Sequence, residues 1–458
     1  VVSTTRRSLL QIAGASGALS LMGCRTSSTP STPTPAPSVT VTPGPGNPFG
    51  LASGSSVSVL VDETEFGRDI LERAATLLTT RSVPARATTS GTKTIAADVL
   101  SRLAEDNPPD ALLSGGLGGL ALAELTGQMT DLTPALTSSG QQLVAGTTAA
   151  GSLGDTLVSI PWVREVRGQW YSSTVFKQYG WTAPTTWDEL HALGHAARSK
   201  GMYLFGRGRQ SAVDLARMVV ASAIKEGGDE VRTPLETLAA DCWGLAPVQR
   251  ALAHLAGIIA DGLVHPDGRG DSAEDALGRW AQDRTIAIMP GGSSVPWRSR
   301  QLAATDFQIA LAPDPSVTAA PTLGKGAAQV GFGSWLAVPQ QAPNRAGGLA
   351  LVEACLDPAV AGAFTTEYFA LTTVAGATGA PTGEHGRTAL AAQQAVVEAS
   401  GDSTCTWLAS DRYGLGPDLS VLFTALMDAD LGVATFTKEL QALTDRVRDD
   451  PGTTHFPV

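Results

Sequence analysis

The sequence predicts an α/β protein with a mainly parallel sheet, and three observations carry that expectation. Short β-rich apolar runs alternate with stretches of helical periodicity, a pattern that sets parallel strands under right-handed crossovers. The chain has 458 residues, 43% of them hydrophobic and only 16% charged, which suits a large buried core spread over two or three domains. No apolar run approaches the roughly 20 residues that a membrane-spanning helix needs.

The first segment reads as an address. Arg6 and Arg7 precede an apolar stretch, Leu9 to Met22, which is too short to span a bilayer and suits the h-region of an export signal. The paired arginines have the pattern of a twin-arginine signal. The stretch ends Leu21-Met22-Gly23-Cys24, which resembles a bacterial lipobox, with Cys24 as the acylated first residue of the mature chain. An ordinary signal peptide with a chance cysteine is the alternative. Residues 1–23 are therefore expected to be a signal peptide and 24–49 a lipidated Cys with a disordered Ser/Thr/Pro tether, since a stretch such as Ser31-Thr32-Pro33-Thr34-Pro35-Ala36-Pro37 cannot bury a core.

The folded body begins with a strand at 57–61 and a helix over 65–78, in which Ile70, Leu71, Ala74, Leu77 and Leu78 share one face. A strand near 83–88, a helix carrying Ile95, Val99 and Leu103, and a strand at 109–113 follow. In such sheets ligands gather at the carboxyl ends of strands. This points to Asp62, Glu63 and Glu65 after the first strand, and to the Ser114–Gly116 turn, including Gly115, after the third. The glycine cluster at 115–119 is not a P-loop, because no Gly-Lys-Ser/Thr follows it. Thr186 and Glu189 have capping-box spacing, so a helix starts at Trp187.

Lys and Arg number 32 against 43 Asp and Glu, a formal net charge of −11. A general phosphate-backbone binder needs a basic face, so no nucleic-acid partner is expected. After Cys24 there remain Cys242, Cys355 and Cys405, an odd count that allows one disulfide at most; Cys355 reads as a small buried hydrophobe. His191 and His195 stand at i and i+4 on one helical face. A metal pair needs further ligands and none stands at a fixed spacing, so a solvated face is expected, with no metal and no cofactor.

From residue 154 the pattern becomes specific. Ile160-Pro161-Trp162-Val163-Arg164-Glu165 is followed by Trp170-Tyr171-Ser172 and then by Pro184-Thr185-Thr186-Trp187-Asp188-Glu189-Leu190. Further on come Ile286-Ala287-Ile288-Met289 with Gly291-Gly292-Ser293, then Gly333-Ser334-Trp335-Leu336-Ala337-Val338-Pro339, and an amphipathic helix over 434–447. In order and spacing these resemble the extracellular solute-binding proteins of bacterial ABC importers, in the group related to maltose-binding protein. Pro161 and Glu165 hold the family's Pro-x-x-x-Glu spacing; Ser172 stands where an Asn is usual, and Trp297 comes later than the family's ligand-turn Trp.

The resemblance implies a two-lobed periplasmic-binding-protein-like (type II) fold, with chain crossings as hinges and a cleft between the lobes. The crossings are expected near 163–168, 334–338 and 382–389. The N-terminal lobe is expected over 50–164 and 337–386, and the C-terminal lobe over 166–333 and 388–458. It also implies a sugar or other small-molecule ligand, ABC permease subunits as partners, a monomeric body held at the extracytoplasmic face of the membrane through its lipid, and no catalytic residue.

Sugar rings lie well on aromatic planes and their hydroxyls on charged forks. Trp162 and Trp335, each at an expected crossing, and Trp297 are therefore candidate stacking residues; Trp170 and Trp407 are considered too. Glu165 is the favoured polar contact, with Arg164 second, Gly292 and Ser293 in the ligand turn, and Tyr413 closing the cleft. An exported carbohydrate-active hydrolase, and a polyol-phosphate binder of the same fold using Arg164, Arg207 and Arg209, are the competing readings.

Overall fold

In a computed structural model, the placement of residues 41–62, 68–81, 85–92, 95–114, 127–268, 271–453 and 455 is described. The signal, the lipobox and most of the tether, with Arg6, Arg7 and Cys24, lie outside these residues, as do Glu63, Glu65 and Gly115. All described residues belong to one compact unit, 41–458.

Among the described residues ten strands are defined: β1 (Ser55–Asp62), β2 (Ala85–Thr92), β3 (Ala111–Ser114), β4 (Ser152–Leu153), β5 (Thr156–Leu157), β6 (Ile160–Ser172), β7 (Ile288–Gly291), β8 (Ile309–Ala312), β9 (Gln329–Ala337) and β10 (Leu371–Thr372). The main sheet runs β10-β6-β9-β3-β1-β2, while β7 and β8 pair with the far end of β6, and β4 with β5 form a hairpin. The expected parallel order holds where strand and helix alternate, at β1–β2 and β1–β3. It fails elsewhere: β3–β9, β6–β9, β6–β10, β6–β7 and β6–β8 are all antiparallel. The reason is β6 and β9, which carry the chain back and forth between the lobes and pair with each other in opposite directions.

β6 belongs to both lobes. Residues 160–167 pair with β9, and 168–172 pair with β7 and β8. The first lobe packs Leu71 and Ala74 of the Arg68–Thr80 helix with Val59, Trp162, Leu336, Leu351 and Phe364. Arg81 fastens that helix by ion pairs to Glu353 at 3.1 Å and Asp357 at 3.0 Å. The second lobe is largely helical, with Trp187, Leu215, Val219, Trp243, Leu252, Phe423 and Phe436 in its core. Each large side chain buried here is worth roughly 1.5–3 kcal/mol.

The Trp187–Arg198 helix starts as its sequence predicts, with Thr186 accepting from the Glu189 N–H at 3.2 Å. The returning half of the box is displaced by one residue: Glu189 accepts from the N–H of Thr185 at 2.7 Å. The closing helix spans Val433–Arg448. Cys242, Cys355 and Cys405 are all buried and free, and burial pushes their thiols up to about 11, about 12 and about 12 respectively. No single described helix is long and apolar enough to cross a membrane.

Candidate functional site

Alternation along β6 decides which side chains reach the cleft. Trp162 and Arg164 project to one side and Glu165 and Arg167 lie at the opposite parity. Trp162 is 2% exposed, donates its indole N–H to the Cys355 carbonyl at 2.9 Å and meets Phe364 edge-on at 4.8 Å. It is a core residue of the first lobe, which corrects its expected role as a stacking platform. Trp170 is likewise buried, its N–H donated to the Gly292 carbonyl at 3.0 Å.

Glu165, Gly292 and Ser293 come together, but as a lock rather than an open binding turn. Glu165 accepts from the Ser293 N–H at 3.2 Å, and Ser293 Oγ accepts from the Val166 N–H at 2.9 Å. A Cβ on residue 292 would stand 1.7 Å from Glu165 Oε1, so only glycine lets the turn approach the carboxylate. The lock joins the crossing strand to the turn after β7.

From Glu165 a chain of charges runs across the second lobe. Arg167 pairs with Glu165 at 3.3 Å and with Asp214 at 3.1 Å; one turn along the Arg209–Gly227 helix, Arg217 pairs with Asp411 at 3.1 Å. Burial would lower the Arg167 pKa, but Glu165, Asp214, Asp411 and Asp314 outweigh it and hold it above the usual arginine value. Arg217 goes the other way, lowered by burial and by the nearby Arg167. Burial raises Asp314, which accepts from Gln329 Nε2 at 2.6 Å.

A series of cavities follows this chain, each sharing residues with the next. One of about 60 Å³ is lined by Arg167, Ser211, Asp214, Gly292, Val295 and Arg298. A second, of about 20 Å³, is lined by Glu165, Arg167, Arg217, Phe332, Trp407 and Asp411. The largest, about 300 Å³, continues past Phe332, Thr404 and Thr406 to Arg232, Glu236 and Arg412. Burial raises the pKa of Glu236, whose Oε1 accepts from the Leu408 N–H at 2.6 Å. Guanidinium and carboxylate forks beside aromatic faces are the groups that recognise a polyhydroxylated ring.

The first lobe contributes a second group. Ser114 and Trp335 are Cα partners, and Asp62 and Ser114 end the neighbouring parallel strands β1 and β3. Asp62, Ser114 and Trp335 thus form a row at the carboxyl edge of the sheet. Trp335 is mostly buried, yet its indole N–H has no hydrogen-bond partner among the described residues. Ser334, just before it, has φ +50°, a conformation that non-glycine residues rarely adopt and that marks strain in the crossing strand.

Other expected residues lie apart from the cavities. Half-buried Trp297 packs on Tyr368 at 5.1 Å beneath the Arg300 guanidinium. Tyr413 is buried in the second-lobe core. Arg164 is half-buried away from Glu165, and its pKa is lowered by burial. Arg207 is tied to Asp428 at 2.7 Å and to the Met427 and Pro266 carbonyls. Arg167, Asp214, Arg217, Phe332 and Asp411 escaped the sequence reading. Arg167 alone carried a signal, its place two residues from Glu165 in one strand; the others meet through tertiary packing.

Comparison with known proteins bears on this site. The family of bacterial extracellular solute-binding proteins matches residues 86–362. A diacetylchitobiose binding protein, NgcE, of Streptomyces coelicolor is 31% identical over 456 residues, covering 98% of this chain and 97% of the relative. Among solved structures, a RafE solute-binding protein in complex with raffinose superposes with a TM-score of 0.70 at 17% identity, over 85% of this chain and 99% of that one. A chitin oligosaccharide binding protein gives 0.71 at 15% identity, over 86% and 98%. These structures share the two-lobed type II fold with its interlobe cleft, and by the family match and the full-length relative the chain belongs to the bacterial extracellular solute-binding proteins.

Proposed function

We propose that this chain is the sugar-binding component of an ABC importer, taking a sugar or related glycoside in the interlobe cleft and delivering it to permease subunits. The observation that carries the reading is the 31% identity along nearly the whole length of a diacetylchitobiose binding protein, and a diacetylchitobiose-type disaccharide is the first ligand to try. Lobes of 50–164 with 337–386, and of 166–333 with 388–458, close on it by a hinge motion at β6 and β9. The ligand contacts Glu165 at the crossing, Arg167, Asp214, Phe332 and Trp407 from the second lobe, and the row of Asp62, Ser114 and Trp335 on the side of the first.

Export through Arg6 and Arg7 and a lipid on Cys24 would hold the body, as a monomer, at the extracytoplasmic face of the membrane. Cys24→Ala should release the protein from membranes while leaving it folded. Arg6→Lys with Arg7→Lys should leave precursor in the cytoplasm. Membrane retention of the first variant, or normal export of the second, contradicts the corresponding assignment.

The competing readings find less support. Glu165, Asp214 and Asp411 each face a guanidinium, and Glu236, its pKa raised by burial, is itself held by the Leu408 N–H and stands 3.7 Å from Arg412, whereas a hydrolase needs an acid paired with a second free carboxylate across its substrate. The arginines that a polyol phosphate would require are divided, with Arg207 tied to Asp428. Calorimetric titration with an oligosaccharide panel, with product analysis of the same mixtures, tests the proposal. Saturable 1:1 binding without product is expected; product formation, or no binding across the panel, overturns it.

A further inference from the structure

Away from the cleft, the Trp187–Arg198 and Ala246–Ala260 helices pack side by side and carry three of the chain's six histidines, His191, His195 and His254. His191 and His195 stack at 5.1 Å with nearly parallel rings. Both aim Nε2 at a single oxygen from the other helix, Asp261 Oδ2, at 2.9 Å for His191 and 3.2 Å for His195. All three atoms lie within 4.8 Å of one another. Spacing along the chain showed the two histidines but not their third member, which lies 70 residues beyond His191.

We propose that His191, His195 and Asp261 form a surface binding site for a divalent transition metal of the zinc type. Two imidazoles four apart on a helix, with a carboxylate from elsewhere, are a nitrogen–oxygen ligand set suited to zinc, which keeps a fourth position for water. Metal–ligand bonds of about 2.0–2.2 Å in a tetrahedron give ligand–ligand edges of about 3.4 Å. The edges to Asp261 Oδ2, at 2.9 and 3.2 Å, are shorter than that by about half an ångström or less, and the two imidazole nitrogens lie within 4.8 Å of each other, so the ion enters as the side chains of the cluster adjust around it. Asp261 is the C-cap of its helix, and the carbonyl ends there favour a cation. The nearby Arg198 guanidinium is drawn away, lying over the Tyr203 ring at 3.9 Å. The site ties two helices together and is reached from solvent, since His195 and Asp261 are exposed.

Titration calorimetry of the full chain with zinc chloride tests this, alongside His195→Ala, Asp261→Asn, the triple variant His191→Ala/His195→Ala/Asp261→Asn, and His254→Ala as control. We expect one saturable site in the native chain, weakened by about tenfold or more in each single variant, lost in the triple variant and unchanged in the control. Zinc should also raise the melting temperature of the native chain and not of the triple variant. The substitutions are at the surface, and melting without metal verifies that each variant is folded. Absence of saturable binding by the native chain, or equal binding by the triple variant, overturns the proposal.

Discussion

The two halves of β6 have opposite roles although they read as one motif. Before Arg164, the strand gives Trp162 to a dry core and bonds its indole N–H to the Cys355 carbonyl. After it, Glu165 and Arg167 stand in a half-open chain of charges that borders the cavities. A conspicuous aromatic at a crossing is thus a packing element, and Glu165, three residues on and at the opposite parity, is the one that lines a cavity. One step along a strand turns a side chain to the other face, so proximity in sequence says little about proximity to ligand.

The largest expected effect that tests this contrast is Trp162→Ala. It should cost roughly 3–5 kcal/mol of stability, read as a fall in denaturation midpoint, while the folded fraction binds its sugar with unchanged affinity. A loss of affinity at unchanged stability would return Trp162 to the cleft. Next comes Gly292→Ala. Its methyl group meets the Glu165 carboxylate, so the lock must open, at about 1–3 kcal/mol; thermal melting reads the cost. Glu165→Gln keeps the shape and one acceptor for the Ser293 N–H but removes the charge facing Arg167. Affinity should fall by about tenfold to a hundredfold, since a charge-assisted hydrogen bond is worth about 1.5–3 kcal/mol, with the melting temperature nearly unchanged. The smallest effect is a null one: at pH 8 native Cys242, Cys355 and Cys405 should resist alkylation, about one thiol in a thousand or fewer being ionised. Mass spectrometry should find them modified only after unfolding.

Much of the fold was legible in the sequence because its signals are local. The Thr186 cap, the apolar face of Ile70, Leu71, Ala74 and Leu78, and the closing helix each show in a few neighbouring residues. The pairing directions of β6 and β9 were not legible, since they follow from where distant segments meet. The site divides in the same way. Glu165, Gly292 and Ser293 were found through the family resemblance of their motifs, although the structure makes them partners of one another. Asp214 and Arg217 come from one helix and Asp411 from another, and only the folded chain aligns their charges with Arg167.

The most direct test of the cleft assignment is a calorimetric titration of diacetylchitobiose into the native chain and into Asp214→Asn, a change that leaves Arg167 its Glu165 partner. The account predicts 1:1 binding by the native chain, weakened about tenfold or more in the variant at similar melting temperature. Equal affinity in the two proteins would place the ligand elsewhere and contradict it.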